Sequence, residues 1–142
     1  MNEQPASEAR GGAVLPEPPG APHILVIEDE PIISAMLACL LEDAGYLVTT
    51  ADNGAEALTC LKTLTPALIV TDFMMPLMTG LDLAKAVRSD ERLRDIPIIL
   101  ISGLQGSVGR QHPDLFQSVL DKPCRPEALI AEIENALANA KV

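Results

Sequence analysis

The sequence predicts an α/β domain: a doubly wound, five-stranded parallel sheet with helices on both faces. Three observations predict it. From residue 23 onward, short aliphatic runs alternate with amphipathic segments. The runs are continuously apolar, which fits strands covered on both faces. Polar residues collect just past these runs, at the carboxyl ends of the strands, where open parallel sheets place their functional groups.

Each element has a local reason. "HILVIE" (23–28) is a strand with an unbroken apolar middle. "PIISAMLACLLEDAG" (31–45) is a helix. Pro31 suits the first helical position, and Ile32, Ile33, Met36, Leu37, Leu40 and Leu41 recur at helical spacing. Gly45 stops it. "YLVTTA" (46–51) is the second strand, followed by the turn signal "DNG". "AEALTCLKTL" (55–64) is a helix, "ALIVTD" (67–72) the third strand and "LDLAKAVRS" (81–89) the next helix. "PIILIS" (97–102) is the fourth strand, and "SVLDKP" (118–123) contains a shorter fifth. "PEALIAEIENALANA" (126–140) is the closing helix.

Between the last two strands the pattern fails. The segment "SGLQGSVGRQHPDLFQSV" (102–119) holds Gly103, Gly106 and Gly109, each costing about 1 kcal/mol against alanine inside a helix. Pro113 would break or start a helix. The expectation is an irregular or shortened fourth helix, with at most a short turn near residues 113–117 and no three-turn helix over 105–116.

Residues 1–22 hold five of the twelve prolines and three of the nine glycines, so they cannot bury enough surface to offset their ordering entropy. They are expected to form a disordered tail, leaving residues 23–142 as one domain. The formal charge of −10 argues against nucleic acid, which needs a basic footprint, and against an anionic membrane. No apolar run reaches membrane-spanning length, and no signal core leads the chain. Cys39, Cys60 and Cys124 are widely spaced and form no metal-binding or disulfide pattern. A cytoplasmic location is the expectation.

The strand ends carry the chemistry. Strand one ends in Glu28, Asp29 and Glu30, strand three in Asp72, strand four in Ser102, and strand five in Asp121, Lys122 and Pro123. Each alone could be a cap, a turn or a surface charge. The fold brings them to one rim. Carboxylates 4 Å apart repel by about 4 kcal/mol at an effective dielectric of 20, so a cluster of three stays ionised only with a cation. Oxygen-only ligands select a hard ion, Mg²⁺ first and Mn²⁺ as substitute. A lysine and a hydroxyl opposite the metal suit a tetrahedral dianion. Asp72 then supplies the nucleophilic oxygen, as carboxylates do when they form acyl phosphates.

On the segments "ILVIEDEP", "LIVTDFMMPLMTGLDL", "PIILISG" and "LDKP", the sequence resembles the receiver domains of two-component response regulators. The spacings also fit: 43 residues from Asp29 to Asp72, 30 to Ser102 and 20 more to Lys122. The resemblance covers residues 23–140. It implies a flavodoxin-like sheet of order 2-1-3-4-5. It implies Asp72 as phosphoacceptor, Asp29 as direct Mg²⁺ ligand, Glu28 as holder of a metal-bound water, and the backbone carbonyl of Met74 as a further ligand. Ser102 would be the switch hydroxyl and Lys122 the phosphoryl contact, with a frequently cis peptide bond to Pro123. The implied partner is a sensor histidine kinase or a histidine phosphotransfer protein, with a downstream protein target. The domain would catalyse its own phosphorylation and slow dephosphorylation without being a turnover enzyme.

Two positions depart from the family. Val119 stands where an aromatic switch residue is usual, and Cys124 where phenylalanine often follows Lys-Pro. The remodelled fourth helix and Val119 together predict a monomer or weak dimer, with partners using the first helix or the loops around Asp72. With the last helix running to about residue 140, no output module is expected. Met74 and Leu104 are apolar and predict a long-lived phosphoryl group. The rival within the family is a pseudo-receiver that only binds a partner. A haloacid-dehalogenase-type phosphatase would need an acid two residues past the nucleophile, where Met74 stands. A nucleotide or flavin site would need a glycine-rich turn after strand one, where "EDEP" stands.

Overall fold

The computed structural model describes residues 20–103 and 106–140. The elements alternate: β1 (His23–Ile27), α1 (Pro31–Asp43), β2 (Leu47–Ala51), α2 (Gly54–Leu61), β3 (Leu68–Asp72), α3 (Gly80–Arg88), β4 (Ile98–Ser102), α4 (Gly106–Arg110), β5 (Ser118–Asp121) and α5 (Pro126–Ala140). The five strands pair in parallel in the order β2-β1-β3-β4-β5. This is the expected sheet. Each strand is one or two residues shorter than its apolar run.

Alternation along each strand divides the core in two. Leu25, Ile27, Ile69 and Leu100 face one way and pack with Leu61 of α2 and Leu83 and Val87 of α3. Ile24, Val26, Val70 and Ile99 face the other way, toward Leu41 of α1 and Leu129 and Ile133 of α5. β3 and β4 are buried at every residue. That burial explains their unbroken aliphatic sequence.

Local chemistry fixes the helix ends. The Asn53 side chain accepts from the Glu56 N–H at 2.8 Å and caps α2. Thr79 and Asp82 form a reciprocal capping box on α3. Gly45 ends α1 at φ +101°, a conformation open to glycine. Gly80 has a different task. A Cβ there would lie 2.6 Å from the Asp72 carbonyl oxygen, so only glycine lets α3 start this close to β3.

Two expectations need correction. The fourth helix is short, as expected, but it forms at Gly106–Arg110, within a stretch that reads as non-helical. Gly109 shows why: a Cβ would sit 2.5 Å from Leu100 Cδ2 and 3.1 Å from Val119 Cγ2. Gly109, which weakens the helix in isolation, lets it pack directly on β4 and β5. The turn near Pro113 also forms, closed by N–H bonds from Leu115 and Phe116 to the His112 carbonyl. In α1, the apolar periodicity locates the helix but not its covered face. Leu41 and Ser34 are buried, whereas Ile32 and Met36 are 76 % and 65 % exposed. Residues 1–19 of the expected tail, and Leu104, lie outside the described residues. Among the described residues, no helix is long and apolar enough to cross a membrane.

Candidate functional site

β1 and β3 are neighbours in the sheet, with Ile27 in register with Thr71. The residues that follow those positions, Glu28 and Asp72, therefore emerge side by side at the carboxyl edge. β3 pairs with β4 and β4 with β5, placing Asp72 opposite Ile101 and Ser102 opposite Asp121. Lys122 follows, and its backbone N–H donates to the Ser102 carbonyl at 2.8 Å. Three parallel ladders thus gather residues that are far apart in sequence.

Carboxylate oxygens of Glu28, Asp29 and Asp72 lie within 4.8 Å of one another. Glu28 is buried, Asp72 is 8 % exposed and Asp29 points to solvent. Glu28 Oε2 accepts the Glu30 N–H at 3.0 Å, which fixes the carboxylate at the mouth of α1. Burial raises the Glu28 pKa above its ordinary 4.5, and the charge of Asp72 pushes the same way, against that backbone hydrogen bond. The cluster is all oxygen and carries excess negative charge. That donor set fits a hard divalent cation held by Glu28, Asp29 and Asp72.

Lys122 Nζ lies 2.9 Å from Asp72 Oδ1. Burial alone would lower the lysine pKa. The Asp72 hydrogen bond and the charges of Asp72, Glu28 and Asp29 outweigh it and raise the value. The ammonium is therefore firmly charged. The Phe73 N–H also donates to Asp72 Oδ1, at 3.1 Å. One carboxylate oxygen is held twice, and Oδ2 has no hydrogen bond among the described residues.

Ser102 is fully buried, and its Oγ finds no hydrogen-bond partner among the described residues. Such an orphan costs about 1–3 kcal/mol. It sits at the end of β4, the strand between the one that ends in Asp72 and the one that leads to Lys122. Met74 lies two residues past Asp72, with its side chain 58 % exposed. The Lys122–Pro123 peptide bond is cis.

The structure brings together Glu28, Asp29, Asp72 and Lys122 and sets Ser102 beside them. Reading the sequence missed an adjoining groove of about 590 Å³ between α1 and the start of α5. Ile33, Met36, Leu37, Pro123 and Cys124 line it, and Glu28 and Lys122 stand at its edge. The signal was the apolar stripe of α1, which reads equally well as core.

Residues 24–134 match the response regulator receiver domain family. A two-component response regulator of Oryza sativa subsp. indica is 36 % identical over 115 residues, covering 79 % of this chain and 86 % of that protein. Hybrid signal transduction histidine kinase D of Dictyostelium discoideum is 37 % identical over 123 residues, 84 % of this chain. The chain spans only 8 % of that kinase's length. Among solved structures, the signal receiver domain of a signal transduction histidine kinase from Syntrophus aciditrophicus superposes with a TM-score of 0.78 at 32 % identity, covering 84 % of this chain and 92 % of that one.

Proposed function

The chain belongs to the response regulator receiver domain family of two-component signalling, and from that premise we propose that it takes a phosphoryl group from a partner's phosphohistidine onto Asp72. The observation that carries this reading is the geometry at the carboxyl edge: three carboxylates within 4.8 Å, and an ammonium 2.9 Å from the central one. The partner is a sensor histidine kinase or a histidine phosphotransfer protein.

Mg²⁺, or Mn²⁺ in its place, held by Glu28, Asp29, Asp72 and the Met74 carbonyl, would supply positive charge against the incoming phosphoryl oxygens. The chain's own residues do the rest. Lys122 and the Phe73 N–H orient the Asp72 carboxylate by Oδ1. Oδ2 forms the new P–O bond as the P–N bond of phosphohistidine breaks, and that electron pair returns to the imidazole. Ser102 Oγ gains the partner it lacks by donating to a phosphoryl oxygen. Lys122 turns from the carboxylate to the phosphoryl group. Most of the catalysis is positioning and neutralisation.

The exposed apolar side of α1 and its groove suit docking of the phosphodonor beside Asp72. Residues 23–142 act as the receiver domain, in the cytoplasm, as a monomer or weak dimer. Val119 offers no aromatic rotamer to report phosphorylation, so output to a downstream protein runs through other contacts.

Mass spectrometry after incubation with acetyl phosphate and Mg²⁺ tests the reading. The wild-type chain should gain one phosphoryl group and Asp72→Ala none. No adduct on the wild-type chain would favour the pseudo-receiver that only binds a partner. The Met74 side chain crowds the approach of water to the acyl phosphate. Met74→Gln should shorten the phosphoryl lifetime, measured as the decay of the adduct after the donor is removed.

A further inference from the structure

The loop from β3 to α3 contains a residue that neither the fold nor the phosphoryl chemistry explains. Leu77 is 93 % exposed and holds φ +72°. The Met78 N–H donates to the Pro76 carbonyl at 2.8 Å, closing a three-residue turn around it. A γ-turn with positive φ at its centre is the rare, strained form. Bulky L residues are outliers there, whereas glycine or asparagine would sit with less strain. Leucine also gains nothing from solvent.

The turn is not loose. Met75 before it is buried in the core on the α2–α3 side. Met78 after it lies over Gly54, where a Cβ would meet its sulfur at 2.6 Å. The Gly80 N–H then bonds the Phe73 carbonyl at 2.8 Å. An anchored loop thus presents one leucine to solvent, five residues after the phosphoacceptor. Backbone strain kept in place by its surroundings points to a function for what it displays.

Resting on the phosphoacceptor reading above, we propose that Leu77 is a specificity-determining contact for the protein that donates the phosphoryl group, inserting into an apolar depression beside that protein's phosphohistidine. The placement identifies the occupant. α1 covers one face of the sheet and the β3–α3 loop leads to the other. Exposed Ile32 and Met36 on one side, and Met74 and Leu77 on the other, straddle Asp72. A protein that brings a phosphohistidine to bonding distance of Asp72 covers this loop. An anionic membrane does not suit a chain of net charge −10.

The test uses the full chain and a purified histidine phosphotransfer domain, selected because it charges the wild-type chain. Leu77→Asn and Leu77→Gly should slow phosphotransfer from that domain by about tenfold or more, as loss of an apolar anchor does at interfaces. Leu77→Met should stay close to wild type. Phosphorylation of all three by acetyl phosphate should match wild type, and the Asn and Gly variants should melt higher because the turn relaxes. Unchanged phosphotransfer in both the Asn and Gly variants overturns the proposal. So does an equal loss with acetyl phosphate, which would make Leu77 part of the site's own chemistry. A wild-type dimer that Leu77→Asn converts to monomer would assign the residue to self-association and overturn it too. Failure of the wild-type chain to accept phosphate from acetyl phosphate would instead bring down the phosphoacceptor reading itself.

Discussion

The two edges of the sheet are built on opposite terms. At the edge where the strands begin, arginines close open backbone groups. Arg88, at the end of α3, donates to the carbonyls of Arg94 at 2.8 Å, Ile96 at 2.7 Å and Leu115 at 2.7 Å. Arg92 reaches the Leu61 carbonyl and the Thr65 hydroxyl. At the edge where the strands end, three carboxylates face one another and a buried hydroxyl has no partner among the described residues. One edge pairs its polar groups with backbone; the other crowds like charges together and leaves the Ser102 hydroxyl unpaired among the described residues. The contrast teaches where stability and function were each placed. Sites that break the ordinary rules of packing and pairing are stable only because the rest of the fold over-determines them.

Breaking the satisfied edge should have the largest effect on stability. Arg88→Met removes three charge-assisted bonds to backbone carbonyls and should cost about 3 kcal/mol in urea unfolding. Phosphoryl uptake per folded molecule should not change, because Asp72 lies at the opposite edge. Easing the strained edge should act in the other direction. Glu28→Gln removes one charge from the cluster, and the metal-free chain should gain about 1 kcal/mol. Its stabilisation by Mg²⁺ should shrink, as seen in paired thermal melts with chelator and with the ion.

The smallest effect is the pH dependence of the strained edge. Burial, with Asp72 beside it, holds the Glu28 pKa in the folded chain above the ordinary 4.5. Between those two values the folded chain binds more protons than the unfolded one. Stability of the metal-free chain should therefore fall as pH rises through that window and stay at the lower level above it. Mg²⁺ should flatten the slope by occupying the same carboxylate, and Glu28→Gln should remove it. Urea midpoints taken from about pH 4, below the ordinary value, up to about pH 7, with and without Mg²⁺, would show this.

Much of the working edge is legible in the sequence. Asp72, Ser102 and Lys122 each follow an aliphatic run. Parallel strands align their carboxyl ends, so reading the runs already gathers the acids, the hydroxyl and the lysine. The other edge is far less legible. Arg88 reads as one more surface charge at the end of a helix, because its carbonyl partners lie in loops whose path no periodicity reveals. α1 shows a second limit. Ile32 and Met36 sit at core-like spacing, and only the packed structure shows that they are uncovered. The fourth helix shows a third. Three glycines argue against a helix when only local propensity is counted, and tertiary packing on Leu100 and Val119 reverses the outcome. The turn at Leu77 had no signal at all, since leucine is among the last residues expected at positive φ.

The order of the strands has a consequence in time. Asp72 lies on the central strand, but Lys122, which orients it, follows the last strand and is made fifty residues later. At a synthesis rate of about 5–20 residues per second, Asp72 exists for roughly 3–10 s before its lysine does. Through that interval a nascent chain carries the acids without the ammonium, and the edge strand that holds Ser102 in register is missing. Only a chain translated past β5 carries the carboxylates, the hydroxyl and the lysine together, so the assembled edge also certifies that synthesis has passed that point.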